Sequence, residues 1–473
     1  MKFGTSGLRG LASDLIGDST FKFVFAFLKH QLSTRHIKPS DTIMIAMDYR
    51  ESSPAISQSC FQAVAAAGLK SANCGTIATP ILAAYAQSQG CAAIMITGSH
   101  IPADRNGIKF YTPIGEITKA DEIAITEIAN DLRDFDSSSF GREADKEMQD
   151  EALEFWRHRV RAILPKEYLQ NWRVGVFEHS TVIRDELTNA LEFVGANVVS
   201  LGRTDGFVAV DTEAVSENTM KQLKAWAQKY SLDAIVSADG DGDRPLLTDE
   251  TGTVIRGDEI GVATSVFLNA EEIVTPITSN AAIDRLPGMR VTRTRVGSPY
   301  VIEAMSTAMD KNIKVVGFEA NGGFLLGHEA ATPGGLLPPL ATRDCVLPIL
   351  ATIGLAASSG CSLSKLFKKW SLNASVSDRL QNQPIDAMAK FLGKIASIEV
   401  GKNLPNIDGR VAKIDKTDGV KFTLDNSQIV HFRASGNAPE LRCYCEAENL
   451  DKAHELLALA LKTADSQIAS YKK

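Results

Sequence analysis

Residues 232–244 read Leu-Asp-Ala-Ile-Val-Ser-Ala-Asp-Gly-Asp-Gly-Asp-Arg. The apolar start of this stretch predicts a buried strand, and the polar end predicts a loop at the carboxyl end of that strand. Three carboxylates at alternate positions repel one another unless they share a hard divalent cation. Asp239, Asp241 and Asp243 are therefore predicted to bind a metal ion, and Arg244 beside them indicates a phosphate group nearby.

Two other interpretations of this loop compete with the metal site. An EF-hand would use the same aspartates with Glu250 at its twelfth position, but Arg244 stands where that loop needs glycine. A strand also precedes the loop where an EF-hand has a helix. An Asp/Gly-rich surface turn is the remaining alternative that the pattern leaves open.

The composition indicates an ordinary globular protein. The 473 residues are 44% hydrophobic and 23% charged, a length that suggests about three domains. The richest apolar run, 346–357, is too short to span a membrane and contains Pro348. The net charge of −7 argues against binding to a nucleic-acid backbone. We therefore expect neither a membrane nor a nucleic acid as partner, whereas monomer and homodimer both stay open.

The cysteines and the N-terminus bear on the cellular compartment. Seven cysteines without a framework-like spacing fit a reducing compartment. Cys443 and Cys445 alternate along one strand face, which favours buried thiols over a metal site. The first ten residues, MKFGTSGLRG, contain no apolar signal region. The predicted location is the cytoplasm.

The same order of elements occurs three times: strand, helix, strand, helix and a last strand that ends in a polar loop. The polar loops are TGSH at 97–100, DGDGDR at 239–244 and FEANGG at 318–323. This alternation predicts three similar α/β domains with mixed, largely parallel sheets, whose ligands lie at the carboxyl ends of strands. From about residue 371 the pattern changes to a smaller C-terminal α+β domain. The predicted domains are 1–145, 146–252, 253–370 and 371–473.

Two of these loops carry further candidate residues. Ser99 lies at a strand end beside His100, and Lys109 follows ten residues later, an arrangement that suits a serine which is itself phosphorylated. Glu319 and Asn321 offer an acceptor and an amide that can bind sugar hydroxyls. A simple turn remains the alternative for each loop.

Two more segments are rich in anion-binding groups. Residues 433–439 read Arg-Ala-Ser-Gly-Asn-Ala-Pro, with Arg442 just beyond, and predict a phosphate cradle. A plain connector with a strand-face arginine is the alternative. Residues 4–10 read Gly-Thr-Ser-Gly-Leu-Arg-Gly and combine small donors with an arginine, but they lack the Gly-Lys-Ser/Thr of a P-loop.

The order of these five motifs resembles that of the α-D-phosphohexomutase superfamily, in its phosphomannomutase/phosphoglucomutase branch. Relatives typically show TASHNP, DGDGDR, GE-x-SG and R-x-S-G/N-x-x-P at these places. The resemblance covers the whole chain and implies four domains around a central cleft. Here Gly98 and Ile101 replace the usual alanine and asparagine, Asn321 replaces serine, and Gly323 stands where some relatives carry histidine.

The resemblance implies a role for each candidate. Ser99 is the expected phosphoserine, and one of its phosphate oxygens completes a Mg²⁺ site formed with Asp239, Asp241 and Asp243. The residues expected to assist the transfer are His100, Lys109, Arg9 and Arg244. Those expected to bind the substrate are Ser6, Glu319, Asn321, Arg433, Ser435, Gly436, Asn437 and Arg442.

The expected activity is that of a phosphomannomutase. Such an enzyme interconverts mannose 6-phosphate and mannose 1-phosphate through a phosphoserine and a hexose 1,6-bisphosphate, which also activates it. Alternatives are a phosphoglucomutase, a dual-specificity enzyme or a phosphoglucosamine mutase. A phosphosugar-binding regulator without turnover is the alternative from another class.

Overall fold

The fold was analysed in a computed structural model that describes residues 2–4, 7–132, 140–141, 143–435 and 439–471. The first α/β unit is built on an eight-stranded mixed sheet of order β1-β2-β6-β5-β3-β4-β8, with β7 paired to β6. Its elements are β1 (Lys2–Phe3), β2 (Leu8–Leu11), α1 (Ala12–Leu15), α2 (Asp18–Ser33), β3 (Thr42–Met47), α3 (Ser53–Ala66), β4 (Lys70–Thr76), α4 (Thr79–Ser88), β5 (Ala92–Ile96), β6 (Arg105–Thr112), β7 (Gly115–Glu116), α5 (Lys119–Asp131) and β8 (Lys146–Glu147).

The second unit has a five-stranded sheet of order β10-β9-β11-β12-β13. Its elements are α6 (Gln149–Arg161), β9 (Arg173–Phe177), α7 (Arg184–Phe193), β10 (Asn197–Leu201), α8 (Glu217–Tyr230), β11 (Ala234–Ala238), β12 (Pro245–Thr248) and β13 (Val254–Ile255). Helix α7 is followed by Gly195 with a φ of 84°, a left-handed conformation that ends the helix and that glycine adopts without strain.

The third unit repeats this sheet with the order β15-β14-β16-β17-β20. Its elements are α9 (Gly257–Phe267), β14 (Glu272–Pro276), a 3₁₀ helix (Ala281–Arg285), β15 (Arg290–Thr294), α10 (Ser298–Met309), β16 (Val315–Phe318), β17 (Phe324–Leu326), β18 (Ala330–Thr332), β19 (Gly335–Leu337), β20 (Leu340–Asp344), α11 (Val346–Ser358) and α12 (Leu363–Lys368). The first crossover of this unit is a 3₁₀ helix where the repeat predicted an α-helix, and this connection is shorter than the one between β9 and β10 that contains α7.

The fourth unit is an antiparallel sheet of order β21-β25-β24-β23-β22 with two helices. Its elements are β21 (Ala374–Leu380), α13 (Ile385–Ala396), β22 (Val411–Asp415), β23 (Val420–Leu424), β24 (Ile429–Ala434), β25 (Leu441–Ala447) and α14 (Leu450–Ser470). The predicted fold class is confirmed: three related α/β units precede an α+β unit. The boundaries after residues 145, 252 and 370 remain predictions.

The three polar loops follow topologically equivalent strands. Strand β5 is parallel to β3 and antiparallel to β6. In the same way β11 is parallel to β9 and antiparallel to β12, and β16 is parallel to β14 and antiparallel to β17. Each loop therefore follows the carboxyl end of a strand with a parallel neighbour and leads into an antiparallel one, so the three loops occupy equivalent positions in their sheets.

The first three units share a hydrophobic core, whereas the fourth has its own. Met44, Trp156, Val176 and Val316 are buried in one cluster that runs through all three α/β units. The cluster around Phe422 lies within the fourth unit.

Hydrogen bonds connect the fourth unit to the third. Lys421 Nζ donates to Ile277 O at 2.8 Å, and Asp418 Oδ2 accepts from Val296 N at 2.9 Å. An interface of this polar kind permits relative movement more readily than a shared apolar core does.

The helices and the cysteines bear on two expectations from composition. Among the helices of the described residues, none has both the length and the apolar content needed to cross a bilayer. All seven cysteines are free in the described chain. Cys443 and Cys445 are buried with their Sγ atoms 3.8 Å apart, as the buried-thiol interpretation predicted.

Acid is expected to destabilise the fourth unit through His431. Burial, together with the nearby charge of Lys421, lowers the pKa of His431 to about 4, although its Nε2–H donates to Asp418 O at 2.6 Å. The folded state then resists protonation that the unfolded state accepts, so stability falls as the pH drops from about 6.5 towards 4. On acidification, the free energy of unfolding is expected to fall by about 3 kcal/mol less in His431→Gln than in the wild type.

Urea unfolding between pH 4.5 and 7.5 measures this difference. The exposed His454 provides the matched control, because His454→Gln is expected to keep the wild-type pH dependence. An unchanged pH dependence in His431→Gln would contradict the prediction.

Candidate active site

Ser99 lies against the aspartate loop of the second unit. Its Oγ donates to Asp239 Oδ2 at 2.5 Å. Strand β5 delivers Ser99, and β11 delivers Asp239. Lys109 belongs to β6, where it pairs in register with Met95 of β5 and so lies beside the serine loop. The structure thus brings together two motifs that lie 140 residues apart in sequence.

The aspartate loop is a tight connection between antiparallel strands. Ala238 pairs with Pro245, and Asp239 Oδ1 accepts from the main-chain N–H groups of Asp243 and Arg244 at 3.2 Å each. Gly242 has a φ of 70°, and a Cβ there would come within 3 Å of Ile183 and Ala78. Glycine is therefore required by both conformation and space.

The three carboxylates form a buried cluster. One oxygen from each of Asp239, Asp241 and Asp243 lies within 4.8 Å of the others. Burial raises the pKa of Asp239 to about 8, and the charges of Asp241 and Asp243 add to this rise. Burial also tends to raise the pKa of Asp243, but Arg343, Lys109 and Arg244 hold it well below its usual range.

Lys109 neutralises part of this charge. Its Nζ lies 2.6 Å from Asp241 Oδ2 and 2.5 Å from Asp243 Oδ2. Thr79 adds a hydrogen bond from its hydroxyl to Asp241 Oδ2. The second oxygens of Asp241 and Asp243 are buried without a hydrogen-bond partner among the described residues.

This donor set fits a divalent cation. Carboxylate oxygens are the ligands that Mg²⁺ and Ca²⁺ prefer, and the two buried oxygens that accept no hydrogen bond from the described residues suit such an ion. Glu250, which an EF-hand would use, instead binds Ser364 through its side chain. The structure therefore favours the metal-binding interpretation over both the EF-hand and the surface turn.

Arg244 and Arg9 lie close to the serine loop, and Arg244 Nε is also 3.8 Å from Asp243 Oδ1. Arg244 Nη1 donates to His100 Nδ1 at 3.0 Å, and this Nδ1 lies 3.3 Å from Ser99 Oγ. Burial, together with the charges of Arg244 and Arg9, lowers the pKa of His100 to about 2, so the ring is neutral. Burial together with Arg244 and Arg343 lowers the pKa of Arg9 to about 10. These cations suit a doubly charged phosphate group.

Arg343 is a functional candidate that the sequence analysis missed. Its Nη2 lies 2.8 Å from Asp243 Oδ2, and its Nη1 donates to Ser298 Oγ at 3.1 Å. Ser298 Oγ in turn donates to Glu319 Oε1 at 2.9 Å. Arg343 thus connects the aspartate loop to the Glu319 loop. No motif marks it, and its place near the carboxyl end of β20 is the one signal that the sequence offered.

The Glu319 loop is shaped by its own side chains. Asn321 Oδ1 accepts from Gly323 N at 3.0 Å, and the main-chain oxygen of Asn321 accepts from Thr212 Oγ1 at 2.8 Å. The side-chain oxygen of Asn321 therefore stabilises the turn. Binding of sugar hydroxyls by Glu319 and Asn321 stays a prediction.

The predicted phosphate cradle lies at the end of β24. Arg433 pairs in register with Arg442 of β25, and its Nε lies 2.9 Å from Asp418 Oδ2. Arg442 donates through Nε and Nη2 to Glu440 Oε1 at 3.0 and 2.9 Å. Ser435 is half-buried, with its main-chain N–H on Glu440 O. The other predicted ligands Gly436 and Asn437, and also Ser6, lie outside the described residues.

A cleft separates this cradle from the first unit. It has a volume of about 930 Å³. Arg9 and Ile101 line one side, and Ser435 and Pro439 line the other. The cradle and the serine loop therefore face the same space, although more than 300 residues separate them in the sequence.

Comparison with known proteins gives the family. Residues 1–135 match the model of phosphoglucomutase/phosphomannomutase α/β/α domain I, and residues 256–372 match the model of domain III. The chain is 48% identical over 474 residues to a phosphomannomutase of Sinorhizobium fredii, an alignment that covers 99% of each chain. This chain belongs to the α-D-phosphohexomutases.

Other relatives agree with this assignment. A phosphomannomutase of Salmonella muenchen is 39% identical over 99% of this chain and 96% of its own. The crystal structure of a phosphoglucomutase/phosphomannomutase family protein from Burkholderia thailandensis shares the fold with a TM-score of 0.75, at 17% identity over 98% of each chain. The resemblance stated from the motifs is therefore confirmed, and the individual roles of this phosphohexomutase's site residues stay predictions.

The aspartate cluster leads to a prediction about metal binding. Asp241→Asn removes one anionic ligand, so we expect the affinity for Mg²⁺ to fall at least about tenfold. Isothermal titration of the protein with Mg²⁺ in the absence of any sugar measures this directly. Asp258→Asn is the matched control, because Asp258 is equally buried but binds Arg256 and Asn280. Equal affinities of the wild type and Asp241→Asn would exclude this residue as a ligand.

Proposed function

We propose that this phosphohexomutase is a phosphomannomutase, which interconverts mannose 6-phosphate and mannose 1-phosphate. One observation carries the proposal: Ser99 Oγ donates to a buried cluster of three carboxylates, in a chain 48% identical to a protein named phosphomannomutase. A serine beside a divalent-cation site and several arginines suits reversible phosphorylation. A protein that only bound phosphosugars would need neither feature.

The proposed reaction consists of two phosphoryl transfers. In the first, the bond between phosphorus and Ser99 Oγ breaks, and a bond forms between phosphorus and a sugar hydroxyl. Ser99 Oγ gains the proton that this hydroxyl loses, and Ser99 stands in that protonated form here, donating to Asp239. The bisphosphate then rotates in the cleft, so that its other phosphate faces Ser99. Its other phosphate returns to Ser99 in the reverse of the first step.

The residues around Ser99 stabilise charge and orient groups. Asp239, Asp241 and Asp243 would hold Mg²⁺, which when bound neutralises the phosphoserine and polarises the transferring group. Lys109 neutralises Asp241 and Asp243. We assign an orienting role to His100, because a pKa near 2 makes it a weak base. Arg9 and Arg244 would bind the transferring phosphate.

The substrate's other phosphate is proposed to bind in the fourth unit. Arg433, Ser435 and Arg442 would hold it, together with Gly436, Asn437 and Ser6. Glu319 and Asn321 would bind the sugar hydroxyls between the two phosphates. The cleft, which Arg9 and Ser435 both line, supports the proposed place of the phosphate that Ser435 would bind.

Further properties follow from this proposal. A hexose 1,6-bisphosphate would phosphorylate Ser99 and so activate the enzyme. The seven free cysteines support a cytoplasmic location. We retain the domain boundaries after residues 145, 252 and 370, and we propose that the fourth domain moves over the cleft to exclude water. Both monomer and homodimer agree with this mechanism.

The first test compares three substrates in the presence of Mg²⁺ and a catalytic amount of hexose bisphosphate. We expect the highest kcat/KM with mannose 1-phosphate, against glucose 1-phosphate and glucosamine 1-phosphate. Mannose is expected to be preferred because the chain is 48% identical to a phosphomannomutase, and a hydrogen-bonding site can distinguish mannose from glucose by the orientation of one hydroxyl. Preferred turnover of either other sugar would reassign the substrate. No turnover of any of them would favour a phosphosugar-binding regulator.

The second test concerns the serine. Intact-mass measurement is expected to show one phosphate on the wild type after treatment with hexose bisphosphate and none on Ser99→Ala. We expect Ser99→Ala to lose at least about 1,000-fold in kcat, because the variant has no group to carry the phosphate. Ser88 is a suitable control, since its exposed hydroxyl bonds to near neighbours at the end of α4, where it donates to Tyr85 O and accepts from Gln89 Nε2. Near-normal turnover by Ser99→Ala would refute the phosphoserine mechanism.

A further inference from the structure

Arg50 binds the main chain of the serine loop at four places. Its side chain is 2% exposed and lies in the connection after β3. Nη2 donates to Ser99 O at 3.0 Å and to Ile101 O at 2.6 Å. Nη1 donates to Pro102 O at 2.7 Å and to Arg105 O at 2.9 Å. One guanidinium therefore fixes the direction of four carbonyls around the loop.

The remaining N–H of this guanidinium is also occupied. Arg50 Nε donates to Asp48 Oδ2 at 3.2 Å, and the same oxygen accepts from Thr97 Oγ1 at 2.8 Å and from Gly98 N at 3.3 Å. A guanidinium has five N–H groups, and all five of Arg50 are thus used. Arg50 has no donor left for a substrate, so its contribution must pass through the loop.

Gly98 makes room for this arrangement. A Cβ at Gly98 would come within 2.6 Å of Arg50 Cζ and 2.7 Å of Nε. Gly98 itself does not have a positive φ, so its backbone conformation does not require glycine. Glycine stands here in place of the alanine usual in the family, and the guanidinium of Arg50 occupies the space that a Cβ would need.

A residue of the second unit covers the other face of Arg50. The ring of Phe207 stacks on the guanidinium, with Arg50 Cζ 4.0 Å from the ring centroid. Phe207 also packs against the aspartate loop, because a Cβ on Gly240 would lie 3.2 Å from its ring. Phe207 therefore lies between Arg50, which supports the serine loop, and the aspartate loop.

The serine needs such support because of its backbone. Ser99 has a φ of 55°, in the left-handed region that is uncommon for residues other than glycine. A strained conformation of this kind persists only where neighbouring groups enforce it. The hydrogen bond from Arg50 to Ser99 O acts on this residue itself.

We propose that Arg50, clamped by Phe207, is a positioning residue that holds Ser99 at the angle required for phosphoryl transfer. This inference rests on the proposed phosphomutase function and adds a specific determinant of its rate. Lysine retains the charge of arginine but has three donors, without the planar fork that reaches four carbonyls. Arg50→Lys therefore tests the geometry separately from the charge.

We expect Arg50→Lys to lower kcat about 100-fold while KM for mannose 1-phosphate stays within about threefold of the wild type, because misplacing a reacting group slows the transfer step. The matched control is Arg159→Lys. Arg159 is also buried and donates to a backbone carbonyl, that of Pro338 at 2.8 Å. The control is expected to lower Tm without changing kcat per folded molecule. A rise in KM at unchanged kcat in Arg50→Lys would instead make Arg50 a binding residue and overturn the proposal.

A second measurement reports the loop without relying on activity. Arg105 is exposed at the end of the loop, its carbonyl is bound by Arg50, and Asn106 after it is buried. We expect trypsin to cleave after Arg105 at least about tenfold faster in Arg50→Lys than in wild type, because this peptide bond must leave its position before it can be cut. The Arg159→Lys control is expected to keep the wild-type rate. Equal rates in Arg50→Lys and the wild type would show that Arg50 does not hold the loop.

Phe207→Leu is a second variant that tests the proposal if Arg50→Lys does not fold. Phe207 is half-buried on a loop, so leucine is expected to be tolerated there. Loss of the stacking is expected to lower kcat about tenfold with KM unchanged. An unchanged kcat in this variant would contradict the proposed role of Phe207 in holding Arg50. If the wild type turns over none of the three sugars, the proposed function fails, while the cleavage after Arg105 still decides whether Arg50 holds the loop.

Discussion

The active site of this phosphohexomutase depends on the pairing of buried charges. Asp239, Asp241 and Asp243 are fully buried, and three such carboxylates are stable only if cations or a metal ion lie among them. Lys109 and Arg343 supply part of this compensation from the first and third units. The charge balance therefore requires three α/β units to be docked before the site can exist.

The cores of the molecule match this requirement. One hydrophobic cluster runs through the first three units and fixes the relative positions of their loops. The fourth unit has a separate core and meets the third through hydrogen bonds such as that of Lys421. The three polar loops thus lie on units that share a core, whereas the predicted phosphate cradle lies on a unit with a core of its own. The proposed mechanism, in which the substrate is bound at both ends and then rotated, would use this division.

Contacts from the first and second units together position the serine loop. Arg50 and Asp48 direct the main chain of the loop, and Asp239 receives the hydroxyl of Ser99. Phe207 joins these two groups of contacts from the second unit. Ser99 can remain in an uncommon backbone conformation because hydrogen bonds hold it from both sides.

The sequence by itself determined the repeated α/β order, the polar loops at the carboxyl ends of strands, the aspartate cluster and the family. These features are local, since they depend on periodicity and on residue types a few positions apart. Tertiary structure alone decided the parts played by Arg343 and Arg50. Neither lies in a motif, and their contacts join residues about 50 to 100 positions apart. The 3₁₀ crossover of the third unit and the side-chain turn of Asn321 were likewise settled by the folded chain. The physical reason is that strand spacing and composition encode where a loop lies, whereas burial and charge pairing depend on which loops the fold brings together.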